Sequence, residues 1–394
     1  METWLALAVL GAGAVILGIA GLWIYMSMTP PLHPGPQSVS SVTHADPSAK
    51  WIAAVARARQ IVREGVAERN LPGASVAAGI GGDLVWAEGF GWADIDQRTP
   101  IRKDTRFKIG TASMALTSAA VGLLLETDRL SLDEEIQQYV AEFPTKPWPI
   151  TLRQLMAHTA GIRNDGGDEG PLFAEHCDRP VEAFPHFAPA DLRFEPGTEY
   201  RNSSFGWIVV SAAVEAAAGE PFVAFMQKHV FDPLRMNDTI PDSTSEADPD
   251  AATVYFPRFA ADPRYGPDPM RPIDLSCYSG ASVFLSTPSD LVRFGLAING
   301  GKLLQPSTVQ LLQTSQRLRS GDDTGYGLGW DLETATVNGQ QVQVVGHDGD
   351  VLGGQAASLL ILREHGIVVA VTANISYADT YSLALKVAEA FTQP

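Results

Sequence analysis

Apolar residues along the chain fall into three patterns, and each predicts a different kind of element. The first is a solid block: from Trp4 to Met28 the chain runs WLALAVLGAGAVILGIAGLWIYMSM, 25 residues without a charge. A helix of that length, rising about 1.5 Å per residue, spans a hydrocarbon core of about 30 Å with some tilt. The second pattern is helical spacing. Trp51, Ile52, Val55, Ala58, Ile61, Val62 and Val66 recur on one face of 48–68, which predicts an amphipathic helix. Residues 112–126, ASMALTSAAVGLLLE, are apolar nearly all round, so that helix belongs in the middle of a core. The third pattern is β-rich. GASVAAGI (73–80) and LVWAEGFGWA (84–93), split by Gly81, Gly82 and Asp83, read as a hairpin. QVQVVGH (341–347), QAASLLIL (355–362) and GIVVAVTA (366–373) repeat the strand signal before a last helix, from about Ala378 to Phe391.

Strands at both ends thus bracket a mostly helical middle, and hairpin links make the sheet largely antiparallel. The expected fold is α/β: one sheet formed by both chain ends, an inserted helical subdomain, and a cleft between them as the natural site. Ahead of it, 1–28 are expected as a transmembrane anchor and 29–47 as a linker. The linker rests on Pro30, Pro31, Pro34 and Pro36 and the SVSSVTH run that follows, an extended tether by composition. The folded domain is then 48–394. A cleaved signal peptide would need a basic start and an apolar region of about 7–15 residues. Here the only charge at the start is Glu2, and the run is longer. The expected placement is a single-pass membrane protein with its domain on the extracytoplasmic, periplasmic side.

Composition narrows the partners. Lys plus Arg number 28 against 45 Asp plus Glu, a net charge of −17 with no basic patch, which excludes a nucleic-acid reader. The two cysteines, Cys177 and Cys277, exclude a disulfide-rich scaffold and a Cys₄ zinc site, and leave one disulfide open in an exported domain. The segment 164–177 gathers Asp165, Asp168, Glu169, Glu175, His176 and Cys177, but its spacing matches no metal pattern, and it reads as a solvated acidic loop, as does 242–250. No metal and no cofactor is expected. The Pro-rich, aromatic stretch 256–272 suits a wall or roof of the cleft, and Trp148, Trp207 and Trp330 suit the core.

Six segments carry a resemblance: FKIGTASMALTSAA (107–120), LRQLMAHTAGI (152–162), FEPGTEYRNSSFGW (194–207), SGASVFLSTPSDLVRFG (279–295), GYGLGW (325–330) and GHDGDVLGG (346–354). Together the chain resembles, over roughly 50–392, the serine β-lactamase and penicillin-binding-protein superfamily on its class C and carboxylesterase side. The resemblance implies a β-lactamase-like fold and acyl or ester hydrolysis. In that superfamily a Ser opens S-x-x-K at the start of the central helix, and the Lys one turn on helps remove the hydroxyl proton. A Tyr from Y-x-N handles a second proton, and a K-T-G or H-x-G strand closes the other side. Backbone N–H groups of the nucleophile and that strand make the oxyanion hole.

Carried over residue by residue, Y-x-N is Tyr200-Arg201-Asn202 and the strand element is His347-Asp348-Gly349. The nucleophile position is Thr111 and the lysine position is Met114, so both ends of S-x-x-K are changed. Threonine keeps the hydroxyl, but its β-branch stiffens χ1 and crowds the approach to an acyl carbon. Methionine fills a lysine-length tunnel while removing charge and base together. Loss of a positioned base costs about 10²–10⁴ in rate. Ser113 lies about 200° round the helix from Thr111 and is expected to pack elsewhere; His158, in HTAGI, is expected to be structural.

The resulting site expectation is Thr111, Tyr200 and His347 as the catalytic set, with Met114, Asn202, Asp348, Gly349 and Asp350 around the ligand. Asp348 and Asp350 beside His347 would repel an anion, so a neutral ester or a cationic ligand suits the charges better than a β-lactam carboxylate. Three functions stay open: weak or altered hydrolysis of a small acyl, ester or peptide-like molecule, an inactive domain that keeps the pocket to bind such a ligand, and a tethered, self-associating assembly module.

Overall fold

The computed structural model describes residues 2–27, 30–164, 176–242, 248–271, 273–351 and 355–392, with the side chains of 2–10, 25–27 and 351 left aside. The main sheet is built from both ends of the chain. Its strands are β1 (Ser41–Ala45), β2 (Gly73–Ile80), β3 (Asp83–Asp94), β4 (Asp331–Val337), β5 (Gln340–Val351), β6 (Gln355–Leu362) and β7 (Ile367–Ala373). They lie in the order β1-β3-β2-β7-β6-β5-β4, every neighbour antiparallel, with the short strand Thr99–Pro100 added beside β3. The two ends of the chain meet where β2 pairs with β7, Val76 opposite Val371.

Helices cover both faces, which is why β6 and β7 are continuous apolar runs instead of alternating ones. Along β7, Val369 and Val371 pack with Val55, Ala58 and Val62 of α2 (Ile52–Glu68) and with Ala384, Val387 and Phe391 of the last helix, Thr380–Phe391. On the other face Val368 and Ala370 join the central helix α3 (Ser113–Leu125), α4 (Ser204–Ala218) and α5 (Pro288–Asn299). The last helix is α6. The all-round apolar character of 112–126 is explained: from Ser113 to Gly122 every α3 residue is buried. Of the three tryptophans expected in the core, Trp207 and Trp330 are buried, while Trp148 is 39% exposed.

The segment 29–47, expected as a tether, is partly built into the fold. Leu32 N–H donates to Asn70 Oδ1 at 2.7 Å, His33 is buried against the Leu71 carbonyl, and Val39 is buried. Ser41–Ala45 then add to β3 as β1, with Ser41 opposite Phe90. Prolines keep the run extended, and the Val/Ser/Thr residues after them complete the edge that β3 would otherwise leave open. Ahead of this, α1 (Glu2–Ser27) exposes apolar side chains from Val15 to Ile24. Among the described residues no single helix is long and apolar enough to cross a membrane, the apolar part of α1 being Gly11–Ile24.

Cys177 and Cys277 are disulfide-bonded, Cα atoms 4.8 Å apart, across 100 residues of sequence. The ends are also held by Cys177 N–H on Ser276 Oγ (3.0 Å) and by His176 Nδ1 beside Asp274 Oδ2 (2.8 Å). Most of the acidic stretch 164–177, and residues 243–247 of the other, lie outside the described residues. Closing a loop of that length restrains the unfolded chain strongly. Replacing both cysteines by serine is expected to lower unfolding free energy by about 2–5 kcal/mol; urea denaturation checks this, and reduced wild-type protein should match the variant.

Candidate active site

Thr111 sits in a single 3₁₀ turn, Gly110–Ala112, immediately before α3. Gly110, at φ +53°, supplies the left-handed residue that swings the chain from Phe107–Lys108 into the helix. Strand β5 runs hard against this turn. A Cβ on Gly349 would fall 2.0 Å from the Ile109 carbonyl oxygen and 2.9 Å from Ala112 N, so only glycine fits there. The contact sets the central hydrogen bond: the Thr111 hydroxyl donates to the carbonyl of Asp348 at 2.9 Å.

β5 has a free edge at this point. Its partner β4 begins at Asp331, opposite Gly346, so the paired neighbour of residues 347–351 is β6 alone. In an antiparallel strand alternate residues direct both backbone groups to the same side. The Asp348 carbonyl faces Thr111, so the Asp350 N–H points along that same edge and, with the Thr111 N–H, is in place for an oxyanion.

Behind the edge lies a buried cluster of rings. His347 Nδ1 is 2.7 Å from the Asp348 carbonyl oxygen and Nε2 is 2.9 Å from the Tyr326 hydroxyl. A carbonyl only accepts, so Nδ1 carries the proton and Nε2 accepts from Tyr326, as assigned from the network. The Asp331 carboxylate stands 3.9 Å from Nδ1. His158 is fully enclosed: its Nδ1 accepts the Ser203 N–H at 3.1 Å, while its carbonyl takes the Arg201 N–H at 2.9 Å. Burial first, and His347 second, push its imidazole down to about 3, so it is neutral. The expected structural role of His158 is what these bonds describe: it fixes the Tyr200-Arg201-Asn202 segment. Tyr200 lies with its ring 6.0 Å from His158 and 5.9 Å from Tyr326. Although part of its ring meets solvent, burial and then the Asp331 carboxylate push its phenol up to about 12.

The structure brings together some expected residues and separates others. Thr111, His347, Gly349 and the Asp348 backbone converge, and Tyr200 flanks the same ring cluster. Met114 is fully buried in the core. Asn202 is exposed and Ser113 is buried. The Asp348 and Asp350 side chains do not share a face with Gly349, because successive residues of a strand point to opposite faces. Asp348 turns towards Ser358, whose hydroxyl pairs with Thr380 of α6 at 2.7 Å. Asp350 accepts the Tyr377 N–H at 2.8 Å. The picture of two carboxylates crowding the reacting atoms is therefore corrected by the period of two. Two residues of the site escaped the sequence reading, Tyr326 and Asp331. Tyr326 lies in the GYGLGW segment, but nothing in the sequence linked its hydroxyl to His347.

Burial pushes the Asp348 carboxyl up to about 7, Ser358 opposing the shift and Asp331, Glu333 and Asp379 adding to it. Its Oδ1 is buried without a hydrogen-bond partner. An acid raised from an ordinary 3.8 binds its proton more tightly folded than unfolded. The stability it contributes is complete below about pH 4 and is lost as pH rises towards 7. Asp348→Asn should therefore gain on wild type between pH 5 and pH 8, by roughly 2–4 °C in Tm per kcal/mol recovered; thermal denaturation at the two pH values checks it.

The comparisons agree with this architecture. The beta-lactamase family model matches residues 58–392. The mitochondrial serine beta-lactamase-like protein LACTB of Homo sapiens is 25% identical, the match covering 89% of this chain and 82% of the relative. Penicillin-binding protein 4* of Bacillus subtilis is 24% identical over 77% of this chain and 68% of its own. Among solved structures, the octameric penicillin-binding protein homologue from Pyrococcus abyssi superposes with a TM-score of 0.71 at 24% identity, covering 84% of this chain and 76% of that one. With strands β2 to β7, the central helix and the free edge of β5 inside the matched region, the chain belongs to the beta-lactamase family.

Proposed function

We propose that this protein is a membrane-tethered beta-lactamase-family domain in which acyl or ester hydrolysis at Thr111 is slow at best. The observation that carries the reading is the Thr111 hydroxyl donating to a peptide carbonyl. For acyl transfer Oγ1 must bond to the substrate carbonyl carbon while its proton leaves to a base, and the leaving group must then be protonated. A backbone carbonyl is not a base. Tyr200, held near 12, is a protonated phenol at neutral pH, His347 presents N–H to this side, and the Met114 thioether takes no proton. What remains is the scaffold of the reaction: a hydroxyl, two backbone N–H groups for the oxyanion, and a strand edge along which an extended peptide-like ligand would lie.

A second reading, reversible binding without acylation, is favoured by the same capped His347 and protonated Tyr200. The tether is supported by the uncharged run Trp4–Met28 and by the exposed apolar side chains of α1. The disulfide favours an oxidising, extracytoplasmic compartment. Self-association is proposed only by analogy with the octameric homologue.

Intact-protein mass spectrometry on the full chain in detergent, with activated neutral esters and separately with a β-lactam, tests the reading. Thr111→Ser combined with Met114→Lys should acylate about 10²–10⁴ times faster than wild type, the return expected from a restored base. Acylation of wild type at the revertant's rate would contradict the reading. Tyr200→Phe should change any residual wild-type rate less than about threefold, since a phenol held protonated is not the base; a loss of a hundredfold, measured in the same assay, would show that it is.

A further inference from the structure

The turn that supplies Tyr326 to the ring cluster also delivers a carboxylate to the free edge of β5. Residues 325–330 double back on themselves: Tyr326 and Asp331 form an antiparallel bridge, Gly327 N–H donates to the Trp330 carbonyl at 2.8 Å, and Leu332 N–H donates to the Gly325 carbonyl at 3.1 Å. Gly329, at φ +92°, lies where a Cβ would fall 2.9 Å from the Ser118 Cβ of α3, so the turn is packed on the central helix. Asp331 is thereby held where β4 stops and the free edge begins, opposite Gly346. Its carboxylate reaches along that edge. Oδ2 accepts the Asp348 N–H at 3.4 Å and stands 3.9 Å from His347 Nδ1. The N–H and C=O of a strand residue point the same way, so Asp348 holds the Asp331 carboxylate by one and the Thr111 hydroxyl by the other. The 3.4 Å contact is longer than an ordinary hydrogen bond, and the Asp331 side chain is 39% exposed. Among the described residues it has no Lys or Arg partner within ion-pair distance. After burial, its charge is what raises the phenols of Tyr200 and Tyr326. Glu333, the next residue on the same face of β4, is engaged differently: it shares a hydrogen bond with the Tyr381 hydroxyl.

A partly covered carboxylate with no cation beside it attracts one more strongly than a carboxylate in open water, because the protein on one side lowers the effective dielectric. We infer that Asp331 is the specificity-determining residue of the Thr111 site and receives an alkylammonium group of the ligand. The strand sets where that group sits. The carboxylate lies at the Asp348 N–H, and the oxyanion donor, the Asp350 N–H, is two strand residues on, a span of about 7 Å. The substrate class is therefore acyl compounds that carry an alkylammonium within about 7 Å of the reacting carbonyl, on its β4 side. The inference rests on the proposed acyl site for its orientation, but its test does not depend on turnover.

Equilibrium dialysis of the full chain in nanodiscs, corrected with empty nanodiscs, would compare three water-soluble acetates: 3-acetoxypropyltrimethylammonium, the neutral 3-acetoxypropyl methyl sulfone and the anionic 3-acetoxypropanesulfonate. The cation should bind at least fivefold more tightly than the sulfone, and the sulfonate most weakly. Asp331→Asn keeps an oxygen for the Asp348 N–H and should bring cation and sulfone to within twofold of each other, with sulfone binding unchanged. Glu333→Gln removes the same charge from the same face of β4 and should leave the preference at threefold or more. Equal binding of cation and sulfone, no binding of the cation, or a preference that survives in Asp331→Asn overturns the inference. So does an equal loss in Glu333→Gln, which would mean a general acidic field, or a loss of sulfone binding together with cation binding in Asp331→Asn, which would mean a structural role. A charge preference without any Thr111 adduct would retain Asp331 as the selecting residue and remove hydrolysis; adducts with no charge preference would do the reverse.

Discussion

Everything at this site follows from the packing of one glycine. Gly349 lets strand β5 press its backbone against the Gly110–Ala112 turn, with no room for even a methyl group between them. That approach places the Asp348 carbonyl 2.9 Å from the Thr111 hydroxyl and aligns the free edge of β5 with the start of the central helix. The turn, in turn, is fixed by α3, whose burial on nearly every side leaves it no freedom to rotate. The geometry expected of an acyl-transfer site is thus produced by packing alone, and it persists although the residues that move protons are changed.

The separation of scaffold from proton chemistry explains the electrostatics. A cation beside Tyr200, such as the resemblance implies for a lysine at the Met114 position, would draw its phenol down. Without one, burial and Asp331 drive it the other way, to about 12. His347 is equally committed, its two nitrogens occupied by a carbonyl and by Tyr326. The charge left beside His347 is acidic, the Asp331 carboxylate, which has no Lys or Arg partner within ion-pair distance among the described residues. The surroundings suit a cationic ligand and oppose an anionic one.

Much of this was legible in the chain. The hairpin 73–93, the three strands before the last helix and the all-round apolar central helix are present where periodicity puts them, because both faces of the sheet are covered and the pattern is unambiguous. The edge strand β1 was hidden: a Pro-rich run followed by Ser, Val and Thr has the composition of a tether, and only the unfilled edge of β3 makes it a strand. At the site, motif spacing singled out Thr111, Tyr200 and His347; the fold brings Thr111 and His347 to the Asp348 carbonyl and sets Tyr200 beside the ring cluster. It failed at Asp348 and Asp350, where adjacency in sequence suggested adjacency at the reacting atoms and strand alternation forbids it. Tyr326 depends on a contact with His347 across 21 residues of sequence, which no local pattern carries.

The central claim is that Thr111 is a hydroxyl with a place to sit and no base to activate it. Reaction of the full chain with excess fluorophosphonate, followed by intact mass, tests this most directly, because only an activated nucleophile is phosphonylated. The account predicts an unchanged mass after hours at pH 7.5; stoichiometric modification mapping to Thr111 within minutes would contradict it.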